Sequence, residues 1–421
     1  MKKRFIQLAV VTTLMCGLTA CGESKNKRGT DEIRVETSGD SQGQTADSED
    51  KTTEAANDGE SIWQDPAVGD KIAEINLYID AYYYNDIDRE RQEEALYDGI
   101  MSGLDDPYAG YYTQEEFEEL QEESSGEYVG IGAVLTQDVD KVITVVRPIA
   151  KSPAFEAGLL ADDIICEVDG KDVSGEELEL VVKWIRGEEG TVAHLKVYRP
   201  SIEDYMEFDI RRRVVENLTV SSEMLDNQIA YVKVEQFNEN TDEEFAEQLD
   251  ALRVKGAKGV IIDLRDNPGG LVTSVVNMCN YIMDDGVIVS TKDRDDNQIQ
   301  CYQADDKLSM DLPTVVLVNG NSASASEIFS GAMQDTGKAE IVGVQTYGKG
   351  IVQSVIPLSD GSAIKLTIAK YFTPNGTDIH TKGITPDYVV ELPDGQTNAV
   401  SIDREVDTQF QKAVEVMNEM M

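Results

Sequence analysis

Val318-Asn319-Gly320-Asn321-Ser322-Ala323-Ser324-Ala325-Ser326-Glu327-Ile328 joins an apolar run at 314–318 to a segment with helical spacing at about 326–334. Small residues crossing from a strand into a helix make a turn that exposes a hydroxyl and lets a carbonyl approach closely. The unpaired N–H groups of the helix start favour negative charge developing there. Taken alone, the same Ser/Ala turn reads first as a plain helix cap, and the downstream sequence changes that reading. Upstream, 229–234 reads as a strand, and Asn240-Thr241-Asp242-Glu243-Glu244 as a capping-box start to a helix presenting Phe245, Leu249 and Leu252. The run 259–264 is a buried-type strand, so strand, helix and strand follow in the order of a right-handed crossover. Further β segments at 341–344, 351–356 and 363–368 make this part of the chain α/β.

Downstream, Tyr347-Gly348-Lys349-Gly350-Ile351-Val352-Gln353 sets a lysine between two glycines at the start of a strand. A lysine that is to accept a proton must be neutral, and at the unperturbed pKa only roughly one in 2,500 is neutral at pH 7. Burial lowers that pKa, so Lys349 is expected to be a desolvated amine. Gln353 shares its strand face by the period-two rule and is placed to orient it. The chain has only two histidines, His194 in an expected strand and His380 in a turn-like segment, and no HExxH spacing. A histidine-based zinc site is not expected. The cluster Asp293-Arg294-Asp295-Asp296-Asn297 lacks the glycine and closing glutamate of a calcium loop and reads as a hairpin tip. No metal or cofactor is expected.

Residues 126–200 change character: β-rich runs at 130–135, 142–146, 164–168 and 194–198 surround one helical segment at 176–185. Between them, Ser152-Pro153-Ala154-Phe155-Glu156-Ala157-Gly158-Leu159 and Asp163-Ile164-Ile165-Cys166-Glu167-Val168-Asp169-Gly170 resemble the PDZ domain of bacterial proteases. The resemblance implies a groove that takes an extended chain end as an added strand. Its carboxylate-binding loop falls on Tyr128, Val129, Gly130, Ile131 and Gly132. Ahead of it lies a helical leader, with Ile72, Ile75, Leu77 and Ile79, then Leu96, Ile100 and Leu104, at spacings near 3.6. It breaks at Asp106-Pro107 and restarts at Thr113, capped with Glu116.

At the amino terminus, Met1-Lys2-Lys3-Arg4 precedes an apolar run at 5–18, too short for a permanent membrane span and typical of an export signal. Leu18-Thr19-Ala20-Cys21-Gly22 resembles the lipobox of bacterial lipoproteins, which implies Cys21 as a lipid anchor and an extracytoplasmic, membrane-attached protein. Residues 22–59 hold almost nothing apolar and read as a tether. Cys166, Cys279 and Cys301 form no CxxC pair and are expected to be buried thiols. A formal net charge of −43 repels nucleic acid, which is excluded as a partner.

Ser322-Ala323-Ser324-Ala325-Ser326-Glu327-Ile328 with Gly331-Ala332-Met333-Gln334-Asp335, then Thr346 to Gln353, resembles the carboxy-terminal processing, or tail-specific, proteases. In that family the middle serine and a lysine 25 positions on form a Ser-Lys dyad, and 349 − 324 = 25. The resemblance therefore implies Ser324, Lys349 and Gln353 as catalytic residues. Asp263-Leu264-Arg265-Asp266-Asn267-Pro268-Gly269-Gly270-Leu271 resembles the family's glycine turn, which implies an oxyanion hole from Ala325 and either Gly269 or Gly270. Arg186 resembles a family arginine that couples peptide binding to the core, with a surface ion pair as the alternative. Tyr371-Phe372-Thr373-Pro374-Asn375-Gly376, Gly383-Ile384-Thr385-Pro386-Asp387 and Gly103-Leu104-Asp105-Asp106-Pro107 extend the likeness over about 68–390. The leader's Asp105-Asp106-Pro107-Tyr108 departs slightly from the family and is expected to touch no catalytic group.

The resulting expectation is a multidomain α+β and α/β chain: a helical leader and a PDZ-like β-rich module before an α/β (ββα-type) serine protease core. Its divisions are a signal at 1–20, tether 21–62, helical region 63–123, PDZ-like domain 124–202, core 203–396 and C-terminal helix 397–421. Its partners would be proteins or peptides with accessible C-termini and the membrane; the leader and the C-terminal helix either pair two copies as a homodimer or, as amphipathic helices more often do, pack on their own domain. The rival readings are a non-catalytic peptide-binding lipoprotein and a hydrolase of small acyl compounds, which would need no tail-binding groove.

Overall fold

The structure, a computed structural model, describes residues 62–305, 310–393, 396 and 402–421. The expected signal peptide, Cys21 and the tether up to residue 61 lie outside the described residues. Two compact units meet at the Asp105/Asp106 bond. In the smaller one, helices Pro66–Tyr82 and Arg89–Ser102 start at Asp65 and Asp88, whose carboxylates accept from Ala67 N–H and Arg91 N–H. Asn76 and Gln92 join the helices through a 3.0 Å side-chain hydrogen bond, and Asp80 pairs with Arg89.

The larger unit is built on a six-stranded sheet in the order Val220–Met224, Ile229–Val234, Gly259–Asp263, Thr314–Val318, Ala339–Gly343, Tyr388–Val389. All its pairs are parallel except the first hairpin. Alternate side chains go to opposite faces. Val232, Val260, Ile262, Val316 and Val318 pack with residues of the helices Thr241–Val254, Val272–Ile282 and Ala325–Asp335. Tyr231, Ile261, Val315 and Leu317 pack with Phe410, Ala413, Val416 and Met417 of the helix Thr408–Met420. Each large apolar side chain so buried contributes roughly 1.5–3 kcal/mol. The C-terminal helix thus spends its apolar face on its own unit. The capping box expected at Asn240 does not form: that side chain makes no cap bond, and Glu244 instead accepts from Thr219 N–H and Val220 N–H.

A second sheet joins Gly110–Tyr112, Ala363–Phe372, Asp285–Lys292 and Gln298–Asp305, with Ile351–Pro357 also paired to Ala363–Phe372. Asp293 at the hairpin tip accepts from the N–H groups of Asp295 and Asn297. The segment from Asp106 onward, read from sequence as part of the leader, belongs to the larger unit. Gly110 lies opposite Lys365 in the ladder, and Thr113 caps Gln114–Ser125 with the expected capping box.

The PDZ module is a sheet of Ala133–Gln137, Ile143–Pro148, Ile164–Val168, Val192–Arg199 and Asp204–Arg211 around its own core, with the helices Pro153–Ala157 and Leu178–Ile185. Its last strand lies beyond the boundary expected at 202, because Phe208 and Ile210 alternate with polar residues and complete the buried face. The expected strand at 130–135 is broken at Gly132, whose φ is +76° and where a Cβ would lie 2.3 Å from Ser152 Cβ. Of the three cysteines expected to be buried, Cys279 is; Cys166 and Cys301 lie at partly exposed strand positions.

Candidate active site

Ser324 stands where the strand Thr314–Val318 has crossed into the helix Ala325–Asp335, with φ 54° and ψ −113°. A non-glycine residue is rarely found there, and holding it costs on the order of 1–3 kcal/mol. Three fixings hold the turn. Asn267 O accepts from Ala323 N–H and from the Ser326 hydroxyl. Ser322 donates its hydroxyl to Leu264 O. Glu327, wholly buried, accepts from Ser324 N–H at 3.0 Å. Ser322 and Ser326 are fully buried with their hydroxyls on carbonyls, whereas Ser324 keeps 7% of its surface.

The same Glu327 carboxylate reaches the lysine loop, accepting from Thr346 Oγ1 at 2.6 Å, Gly348 N–H at 2.7 Å and Lys349 N–H at 2.8 Å. Burial pushes its pKa up and these donors oppose the rise. Glu327 thus joins the serine turn to the lysine loop through one side chain, a role that sequence reading missed. Its signal was present: Ser324 and Glu327 have the S-x-x-E spacing that identified the cap at Thr113.

Lys349 is 7% exposed, and burial lowers its pKa against the pull of Asp106 and Glu327. Its flanking glycines are required by close approach, since a Cβ on Gly350 would lie 2.2 Å from His380 N. Its ammonium lies 5.0 Å from the ring centroid of Tyr108. The segment Asp105-Asp106-Pro107-Tyr108 therefore does touch this lysine, contrary to expectation, because pairing of Gly110–Tyr112 with the second sheet carries Tyr108 over it. Tyr108 itself is pushed up to about 12 by burial and by the Tyr347 hydroxyl. Gln353, 2% exposed, donates its amide to Tyr108 O at 2.7 Å, so this bond anchors the ring that covers Lys349.

Gly269 and Gly270 have φ of +106° and +143°. A Cβ on Gly269 would lie 2.8 Å from Ser324 Cβ and 3.0 Å from Ala325 N, so this turn lies against the serine. Gly269 N–H donates to Asn267 Oδ1 at 2.8 Å.

In the PDZ module, Tyr128, Gly130, Ile131 and Gly132 line a groove of about 140 Å³ with Leu135, Leu178, Val182, Ile185 and Arg186. Val129 is not among its lining residues and donates its N–H to Glu122. Arg186 lies 4.9 Å from the Tyr128 ring centroid and pairs with Glu122 at 2.5 Å.

The sequence profile of a PDZ domain matches residues 144–199, and that of peptidase family S41 matches 228–390. The carboxy-terminal processing protease CtpA of Bacillus subtilis is 37% identical over 325 residues, covering 77% of this chain and 69% of that protein. The chain belongs to the carboxy-terminal processing proteases of family S41. A probable CtpA-like serine protease of Staphylococcus haemolyticus is 39% identical over 320 residues, covering 76% of this S41 chain and 64% of that protein. The crystal structure of a putative S41 protease from Bacteroides fragilis shares the fold, at 15% identity and a TM-score of 0.51, covering 81% and 93% of the two chains. This S41 peptidase is a serine-type protease with a PDZ domain ahead of its core, and a non-catalytic scaffold is not favoured.

Proposed function

We propose that the protein is an endopeptidase that cuts substrate proteins near their carboxyl termini through a Ser324–Lys349 dyad. Neutral Lys349 takes the Ser324 hydroxyl proton as Oγ attacks the peptide carbonyl, then gives it to the leaving amine as the C–N bond breaks. Water hydrolyses the acyl-enzyme with Lys349 again as base. The oxyanion lies against the N–H groups of Ala325 and Gly270, a choice supported by the engagement of Gly269 N–H with Asn267. The observation that carries this reading is Glu327, whose carboxylate ties Ser324 N–H to the N–H groups of Gly348 and Lys349. The Bacillus subtilis relative is named for carboxy-terminal processing, and the apolar groove beside Tyr128 to Gly132 supports the same choice of substrate here. The lipobox-like segment supports a lipid anchor at Cys21 and an extracytoplasmic place on the membrane.

The full chain is tested on an unfolded protein with an apolar carboxyl terminus, beside Ser324→Ala and Lys349→Ala. Both variants should fold and lose cleavage almost completely, since members of such a unit act non-additively. Cleavage that survives Ser324→Ala would move the nucleophile to Ser322 or Ser326.

A further inference from the structure

When Lys349 takes the serine proton it becomes an ammonium, and the burial that keeps the resting amine neutral opposes that charge. A group fixed at Nζ that favours the charge as it forms lowers the barrier without reorganising at the moment of reaction. The face of Tyr108 is such a group. Nζ stands over the ring, 5.0 Å from its centroid, within the distance at which an aromatic quadrupole attracts a cation.

The ring is held in that place from several directions. Tyr108 N–H donates to Asp106 Oδ1 at 2.9 Å, across Pro107. Tyr108 O accepts from the buried Gln353 amide at 2.7 Å, and two residues on Gly110 enters the ladder opposite Lys365. The Tyr108 hydroxyl meets that of Tyr347, whose own N–H donates to Ser322 O at 3.0 Å on the serine turn. Burial first, then Tyr347, push the Tyr108 phenol up to about 12, so up to pH 10 the ring is neutral and acts through its face. The other charged or titratable groups around Lys349 are Asp106 from the same segment, Glu327 from the helix Ala325–Asp335, Tyr347 from the lysine loop, Lys365 from the strand Ala363–Phe372, and His380 in the loop against Gly350. The carboxylate of Glu327 is already engaged by four donors, and that of Asp106 by Tyr108 N–H.

We propose that Tyr108 is a further catalytic residue: its ring face stabilises the ammonium formed as the Ser324 Oγ proton moves to Lys349 Nζ, and Gln353 is a positioning residue that acts through the Tyr108 carbonyl. The ring holds the charge until Nζ gives the proton to the leaving nitrogen, and again when Nζ takes a proton from the hydrolytic water. The inference rests on Lys349 as the base.

The test is kcat/KM against pH, from about pH 5.5 to 10, for the full chain cleaving a fluorogenic peptide with an apolar carboxyl terminus. Activity rises with pH as Lys349 loses its proton. Tyr108→Leu keeps an apolar cover but removes the aromatic face. On the alkaline plateau the resting amine is neutral and the reaction creates the ammonium, so kcat/KM should fall there by about tenfold. In acid the resting amine is already charged and loses the same contact, so the limb should move down by about one unit and the two profiles should meet. Tyr108→Phe keeps the face and should lose no more than about threefold. A second series replaces successive ring hydrogens of a phenylalanine at position 108 by fluorine, which keeps the shape and weakens the negative face. The plateau should fall stepwise along it, which preserves the test if the leucine variant does not fold. An unchanged plateau or a loss equal at every pH in folded Tyr108→Leu, a phenylalanine variant as impaired as leucine, or a flat fluorine series overturns the inference. Gln353→Met should give a profile of the same shape, and adding Tyr108→Leu to it should cost little more. Losses that multiply overturn the action of Gln353 through Tyr108. Cleavage surviving in Lys349→Ala overturns the dyad itself; with Lys349→Ala inactive, a flat fluorine series overturns only the role of the ring.

Discussion

Four hydrogen bonds converge on the two oxygens of Glu327, from Ser324, Thr346, Gly348 and Lys349. They set the strained backbone of Ser324 against a loop that begins 22 residues later in the chain, at Thr346. A glutamine has the same shape but offers only one acceptor oxygen, and turns an NH₂ group toward donors at the other. Glu327→Gln should therefore lose about 1–3 kcal/mol in urea unfolding. Its kcat should fall on the order of 100-fold, because displacements of about 1 Å at the reacting atoms cost that much. A folded variant with unchanged kcat would show that Ser324 and Lys349 keep their geometry without this carboxylate.

Strands and loops place these residues by close backbone approach, and glycines mark where that happens. At Gly350 the crowding comes from backbone atoms of Ile379 and His380, which cannot swing aside as a side chain would. Gly350→Ala should cost about 1–3 kcal/mol of stability. It should also lower kcat by about 100-fold by moving Lys349, while KM should hold. Gly320→Ala is the control, since its nearest atom, Gln345 O, is 3.9 Å away, and its stability should change little. A Gly350→Ala enzyme with a raised KM and normal kcat would place the loop in substrate binding instead. The sequence made much of this scale legible. Apolar periodicity marked the core strands and helices, and a lysine between glycines marked a special loop. It could not show why the glycines were needed, because His380 reaches them only through the folded chain. Glu327 was legible as a cap but not as a bridge, since its second set of partners comes from another loop.

The C-terminal helix, set apart by sequence as its own region from residue 397, is joined to the strand end that leads into the Gly269-Gly270 turn by a buried charge network. Arg265, 3% exposed, pairs with Asp263 at 2.7 Å and with Asp407 at 2.8 Å, and Tyr231 donates its hydroxyl to Asp263 at 2.7 Å. Arg265 lies two residues before Asn267, which holds Ala323, Ser326 and Gly269. Such a network does little for stability compared with an apolar core of the same volume, but removing one partner strands a buried charge. Asp407→Ala should therefore cost about 3–5 kcal/mol in urea unfolding, far more than loss of a surface pair. The surface comparison is Lys183→Ala, whose ammonium is more than half exposed between Glu115 and Glu119 and whose loss should cost less than about 1 kcal/mol. If Asp407→Ala unfolds at the wild-type urea concentration, Arg265 is satisfied by Asp263 and Gln409 alone, and the helix is held by Phe410, Ala413, Val416 and Met417. If it loses the expected stability and cleavage falls with it in enzyme that remains folded, the network also supports the geometry of the glycine turn. The end of the chain then belongs to the protease core in energy as well as in packing.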